Sequence, residues 1–168
     1  MITVQVDNSA ALARFGKAGI PDDVRRNLRA LIPDLTRRLA SRVDANLSAG
    51  LKTRRRLQVR SAMVENSKGI TGRVTVSSTS EPMMLPFWLE HGTKAHAIEA
   101  RNAKALYFFW EKMGKNVAFR RVMHPGFAGI HYAQNAFNSM ESEIISAIQN
   151  SVQLALLRDE SRKGRFSR

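Results

Sequence analysis

The chain has 168 residues, 43% of them hydrophobic, with 27 Lys and Arg against 14 Asp and Glu, a formal net charge of +13. This composition suits one folded domain with its own core and excludes a disordered polyelectrolyte; with no cysteine, disulfides and thiolate metal sites are excluded too. The charge implies an anionic partner, whether nucleic acid, an acidic protein surface or a membrane.

Residues 2–6 alternate apolar and polar and predict a short strand. They hold no basic region followed by an apolar run, so no signal peptide is expected. No stretch approaches the roughly 18 apolar residues that span a bilayer. Synthesis in a cytoplasm is the expectation. Asp7-Asn8-Ser9 offers caps for a short helix over 10–17.

Pro21-Asp22-Asp23 is a helix start, because Pro suits the first turn and carboxylates complement the helix dipole. Val24, Leu28, Leu31, Leu35, Leu39, Val43 and Leu47 then recur at three- or four-residue steps, an apolar stripe on a long helix. Pro33 is expected to kink or split it, and Gly50 to stop it. Arg25, Arg26, Arg29, Arg37, Arg38 and Arg42 lie between the apolar positions and predict a basic outer face. After a basic loop, residues 57–65 and 70–78 predict the two strands of a β-hairpin turned at Asn66-Ser67-Lys68-Gly69.

Phe87-Trp88-Leu89-Glu90-His91 reads as a short helical turn closed by Gly92, with Trp88 and Leu89 as core anchors and Thr93 bonding the turned backbone. Residues 95–100 are expected to be extended. The run Ala105-Leu106-Tyr107-Phe108-Phe109-Trp110 reads as a buried strand, and 117–122 as another. The last helix is predicted from about His131 to Leu157, with Ala133, Phe137, Met140, Ile144, Ile148, Val152 and Ala155 as its stripe. Its other face holds Gln134, Asn135, Asn138, Ser139, Ser142, Ser146, Gln149, Asn150 and Gln153, without one Lys or Arg before Arg158. That face is read either as a packing surface or as an unusual solvent face. The expected fold is α+β: an antiparallel sheet of about four strands against a long N-terminal and a long C-terminal helix. Residues 1–157 form one domain and 158–168 a basic, disordered tail.

Signs of catalysis are lacking. There is no G-x-S-x-G elbow, P-loop or G-x-G-x-x-G. His91, His96, His124 and His131 make no helical metal pair, and Glu90 and Glu99 stand alone in sequence. No catalytic residue, cofactor site or metal site is assigned. Candidates for contact with an anionic partner are Arg54, Arg55 and Arg56, with Lys52 and Arg60 nearby, and a second patch at Arg120 and Arg121. A solvated basic surface or an acidic protein neighbour is the plainer alternative. The aromatic run has no interleaved basic residue and is read as core, not as a base-stacking platform.

Leu89-Glu90-His91-Gly92-Thr93, His96-Ala97-Ile98, Lys104-Ala105-Leu106 and His124-Pro125-Gly126, followed by an alanine-containing helix, occur in one order. Together they resemble the signature of the tail-component family of lambdoid siphophages, the neck and tail-completion proteins. More loosely, the N-terminal helix and the Arg54-Arg55-Arg56-Leu57 strand start resemble minor tail protein Z of phage lambda and related virion-morphogenesis proteins. After the His-Pro-Gly turn the chain reads Phe127-Ala128-Gly129-Ile130-His131, where the family often has a Pro-Phe-x-Arg-Pro-Ala stretch.

The resemblance implies a non-enzymatic virion subunit made in the bacterial host. It would form a ring, sixfold by analogy, between head and tail, with no membrane contact. The implied partners are further copies of itself, the connector, the tail terminator, the tail tube and DNA in the channel. Glu90, Gly92, Thr93, Leu106, His124, Pro125 and Gly126 are then fold and interface determinants. The alternative function is a free nucleic-acid-binding protein.

Overall fold

The computed structural model describes residues 2–7, 21–51, 57–66, 69–80 and 82–163. The short helix expected over 10–17, the basic loop with Arg54, Arg55 and Arg56, and residues 164–168 lie outside the described residues. The fold is α+β, with a long N-terminal helix, a long C-terminal helix and small antiparallel sheets.

Helix α1, Asp22–Gly50, is the centre of the molecule. Its stripe is buried largely as the periodicity predicts: Val24, Leu28, Leu35, Leu39, Val43 and Leu47 are each at most 1% exposed, while Leu31 is only half-buried and Ile32 takes its place in the core. Ile32 and Thr36 widen the buried face, which suits a helix covered on more than one side. Each such aliphatic side chain contributes roughly 1.5–3 kcal/mol by leaving water. The helix is not split at Pro33. The carbonyl that the proline leaves without a helical donor belongs to Arg29, an exposed residue, so water can serve it.

One side of α1 packs on a three-stranded sheet of order β1-β3-β2, made from β1 (Ile2–Asp7), β2 (Leu57–Asn66) and β3 (Gly69–Ser78). The expected hairpin is β2 and β3, with Leu57 opposite Ser78 and Asn66 opposite Gly69. Along β3 the even positions face the helix: Ile70, Val74 and Val76 are buried. Gly72 shares that face, and a Cβ there would strike Thr36 Oγ1 and Ile32. The missing side chain therefore sets how closely the helix approaches the sheet. Thr36 turns its hydroxyl back to the Ile32 carbonyl (2.6 Å), so it is buried without an orphan polar group.

The other long helix, α3 (Tyr132–Lys163), lies antiparallel against α1. Three links mark the register: Asn27 Nδ2 donates to the Ser151 carbonyl (3.2 Å), Arg38 pairs with Glu143, and Asn46 Nδ2 donates to the Tyr132 carbonyl (3.0 Å). The helix passes the expected end at Leu157 and takes in the first six residues of the expected tail. Neither Gly nor Pro interrupts the sequence before Gly164, so nothing local stops the helix earlier.

Between these elements come helix α2 (Leu85–His91), strands β4 (Gly92–Thr93), β5 (His96–Glu99) and β6 (Leu106–Trp110), a 3₁₀ turn (Glu111–Met113), and strands β7 (Lys115–Phe119), β8 (Arg121–His124) and β9 (Phe127–Ala128). The pairs β4/β9, β5/β8 and β6/β7 are all antiparallel. The antiparallel strands are thus divided between one three-stranded sheet and three small pairs. Strand β6 pairs with its sequence neighbour β7 and does not join the β1-β3-β2 sheet.

Candidate functional site

The three small pairs form one long hairpin. Gly92 faces Ala128, Thr93 faces Phe127, and His96 to Glu99 face His124 to Arg121, all in a single register. The Ala100 N–H donates to the Arg120 carbonyl (3.1 Å). Beyond it, residues 101–105 bulge out, and the register resumes with Leu106 opposite Phe119 and Trp110 opposite Lys115. Eleven paired rows, with the in-register residues 94, 95 and 100 between them, make at about 3.3 Å each an arm on the order of 40 Å along its strands.

The arm buries nothing of its own. From residue 91 to residue 131 no position is buried. Yet this stretch carries eight exposed large hydrophobic residues, among them Tyr107 (81% exposed), Met123 (63%) and Phe109 (59%). The expectation of a buried aromatic strand is therefore wrong. Phe108, Trp110 and Phe119 pack together on one face of the ribbon, with ring centroids 5.8–6.4 Å apart. Tyr107 and Phe109 point to the other face. A cleft of about 600 Å³ opens between the β5/β8 and β6/β7 parts, lined mainly by Ile98, Leu106, Phe108, Trp110, Val122 and Met123, with Lys112 and His124 adding polar groups. A contiguous apolar surface rimmed by charge marks an interaction site. The hint in the sequence was the flanking charge: Lys104, Lys112, Lys115, Arg120 and Arg121 crowd around the aromatic run, and a core strand rarely has such neighbours.

Several of the residues that carry the resemblance, Glu90, Gly92, Thr93, His124, Pro125 and Gly126, sit at the root of this arm. Glu90 is 4% exposed. Its Oε2 accepts the Ala133 N–H (2.9 Å) and its Oε1 the Gln134 N–H (3.0 Å). One carboxylate thus serves two of the amide groups that begin helix α3, where negative charge also meets the positive end of the helix dipole. The Ile130 N–H donates to the Leu89 carbonyl (2.8 Å), and the buried Tyr132 hydroxyl to the Pro86 carbonyl (3.1 Å). Burial, and then the Glu90 charge, hold the Tyr132 phenol well above its ordinary pKa, so it remains a donor. Gly92 has φ of +76°, and a Cβ there would come within 2.5 Å of the Phe127 carbonyl oxygen and 2.6 Å of the Gly129 nitrogen. Gly126, with φ of +78°, lies as closely on Thr93 and Lys94. The His124 Nδ1 accepts the Gly126 N–H (3.0 Å), which fixes the turn after exposed Pro125 and the ring tautomer. The His96 ring lies beside it at 5.1 Å.

Two local expectations fail at this corner. Trp88 is exposed and does not anchor the core; Leu89, at 8%, does, because the short helix turns only one side inward. The Thr93 hydroxyl does not bond the turned backbone. It is buried with no hydrogen-bond partner, since the Thr93 main chain is engaged with β9. Leu106 is half-buried and lines the cleft.

The basic residues divide into two sets. On α1, five of the six arginines are ion-paired, sharing four carboxylates. Arg25 and Arg29 grip Glu65 of β2 (3.0 and 2.8 Å), Arg26 meets Asp23, Arg37 meets Asp34, and Arg38 pairs with Asp34 and Glu143. The basic face predicted for this helix is thus largely an ion-paired one. On the arm, residues 94–126 hold seven cations against two carboxylates, a net of five positive charges. Arg120 and Arg121 are both exposed there, Arg121 only loosely paired with Glu99 at 3.4 Å. The structure places these two candidates on the aromatic arm. Arg54, Arg55 and Arg56 lie outside the described residues.

The polar face of α3 is exposed as the sequence implies. Of the ten Asn, Gln and Ser residues from Gln134 to Gln153, all but half-buried Ser151 are exposed, and Ile145, Leu154, Leu156 and Leu157 are exposed beside them. A third open patch, Met83, Met84, Phe87 and Trp88, lies on and before α2.

Among the described residues, no three His, Asp or Glu side chains come together as metal ligands, and no helix is long and apolar enough to cross a membrane. No protein-family profile, curated protein or solved structure matches the chain.

Proposed function

We propose that this chain is a non-enzymatic structural subunit of a tailed-phage virion, part of a ring at the neck or upper tail that completes the tail and joins it to the head. One observation carries the reading. A hairpin on the order of 40 Å long spends eight large hydrophobic residues on surface that its own fold leaves uncovered. A subunit that functions alone has no use for such an arm, whereas one that functions between neighbours does. The link to phage rests on the resemblance, several of whose residues lie where the arm leaves the body: Glu90 caps α3, and Gly92 and Gly126 allow the strands to close. The positive arm suits acidic neighbouring rings or DNA in the channel.

The test is electron microscopy of particles from a host in which the phage gene is interrupted. Separate full heads and separate tails are expected. Normally joined particles would remove the protein from the structural pathway.

A second reading, a free nucleic-acid-binding protein, is favoured by Tyr107 and Phe109, which stand exposed near Lys104, Lys112 and Lys115. Aromatic faces among cations are what base stacking requires. This reading expects the isolated protein to shift DNA with a steep salt slope. Absence of a shift at near-physiological salt would eliminate it.

A further inference from the structure

We infer that the arm of one copy docks on the outer face of helix α3 of the next copy, a head-to-tail contact. The inference rests on the assembly reading above and names the two surfaces that meet.

The first argument is area. At their observed exposures, the arm's large hydrophobic side chains present on the order of 700–800 Å², given 150–250 Å² for a whole aromatic side chain. A stable protein interface needs about 800 Å² on each partner. Counted over both faces of the ribbon, the arm therefore presents apolar area of the order that an interface requires.

The second argument is charge, and it selects the occupant. The arm has a net of five positive charges, so most of this chain's cationic surface would repel it. Helix α3 would not. It has no Lys or Arg from Tyr132 to Leu157, and its only charged residues there are Glu141 and Glu143. Along the centre of its outer face run Ser142, Ser146, Gln149 and Gln153, all exposed and spaced for a single stripe. Uncharged polar groups are cheap to cover compared with charges, and interface centres are depleted in charge. The two surfaces are different, so a pair of copies keeps one free arm and one free helix. Such a contact closes into a ring or runs on as a filament, whereas a twofold contact would stop at a dimer.

The chain contains no cysteine, so cross-linking can be site-specific. Three variants of the full chain are compared: Phe109→Cys, Gln149→Cys, and the two together. Both positions are exposed, so the substitutions leave the fold intact, which circular dichroism checks. Under mild oxidation the double variant is expected to give a ladder of disulfide-linked oligomers, while each single variant stays monomeric on a denaturing gel.

Dimers from Phe109→Cys alone, as abundant as the ladder, would mean that arms meet arms, and would overturn the inference. So would a double variant that fails to cross-link although sedimentation shows oligomers; the assembly reading would then stand with its interface elsewhere. A protein that sediments as a monomer at high concentration and does not cross-link would count against both.

Discussion

Glu90, at the end of one helix, caps another: its carboxylate accepts the backbone N–H groups of Ala133 and Gln134, 43 and 44 residues further along the chain. Replacing it with Ala leaves one buried and one part-buried donor without this partner, which costs about 1–3 kcal/mol. Glu90→Ala is expected to lower the urea midpoint accordingly. Glu90→Gln keeps one acceptor but loses the charge at the helix start, and should fall between Ala and the wild type. Equal stability of all three proteins would mean that the cap carries no weight.

Gly72 offers a test of helix-to-sheet spacing. Gly72→Ala pushes a methyl group into Thr36 and Ile32, and overpacking of this kind costs typically 1–3 kcal/mol. The double variant Gly72→Ala with Thr36→Ala removes the obstructing hydroxyl and should recover much of the loss. Strict additivity of the two changes in a double-mutant cycle would show that the residues do not touch.

Glu65 ties β2 to α1 and titrates unusually. Hydrogen bonds from Arg29 and then Arg25 hold its carboxyl down at about 2, against an ordinary value of 4.5. Its folded pKa is depressed, so its contribution is full above the ordinary value and is lost as pH falls from about 4.5 to about 2. Glu65→Gln should therefore be less stable than the wild type at neutral pH, with the difference vanishing near pH 2. A gap that stays constant through that interval would rule out the ion-pair account.

The arm should separate folding from function. Tyr107→Ser and Phe109→Ser remove exposed rings, and surface changes of this type usually stay within about 0.5 kcal/mol. Thermal unfolding should therefore be unchanged, while incorporation into particles falls sharply. Charge reversal of Arg120 and Arg121 to Glu should likewise spare the fold and weaken contact with any anionic neighbour. If the ring variants unfold early instead, the arm is part of the core after all.

Much of the body was legible in the sequence because periodicity reports burial. The stripe from Val24 to Leu47 and the 57–78 hairpin follow from spacing alone. The aromatic run Tyr107 to Trp110 was misread because apolarity says that a residue seeks cover, not who provides it. A strand covered by its own chain and a strand that waits for a neighbour have the same composition. The arginines of α1 show the converse limit. Their number predicts a basic face, but Glu65 and Glu143, far away in sequence, ion-pair with it, and only the fold brings them near. At the candidate site, the glycines and His-Pro-Gly were visible as a corner, while the Glu90 cap was not, since no local pattern points from residue 90 to residue 133.

The root of the arm is also the start of α3. The carbonyl of Leu89 and the carboxylate of Glu90 hold residues 130, 133 and 134, and the Tyr132 hydroxyl holds Pro86. A pull on the arm thus falls on a knot of buried hydrogen bonds rather than on a flexible hinge. Mechanically the arm is a cantilever built into the same wall as the long helix, and a subunit that seizes its neighbour with one must pass the load straight into the other.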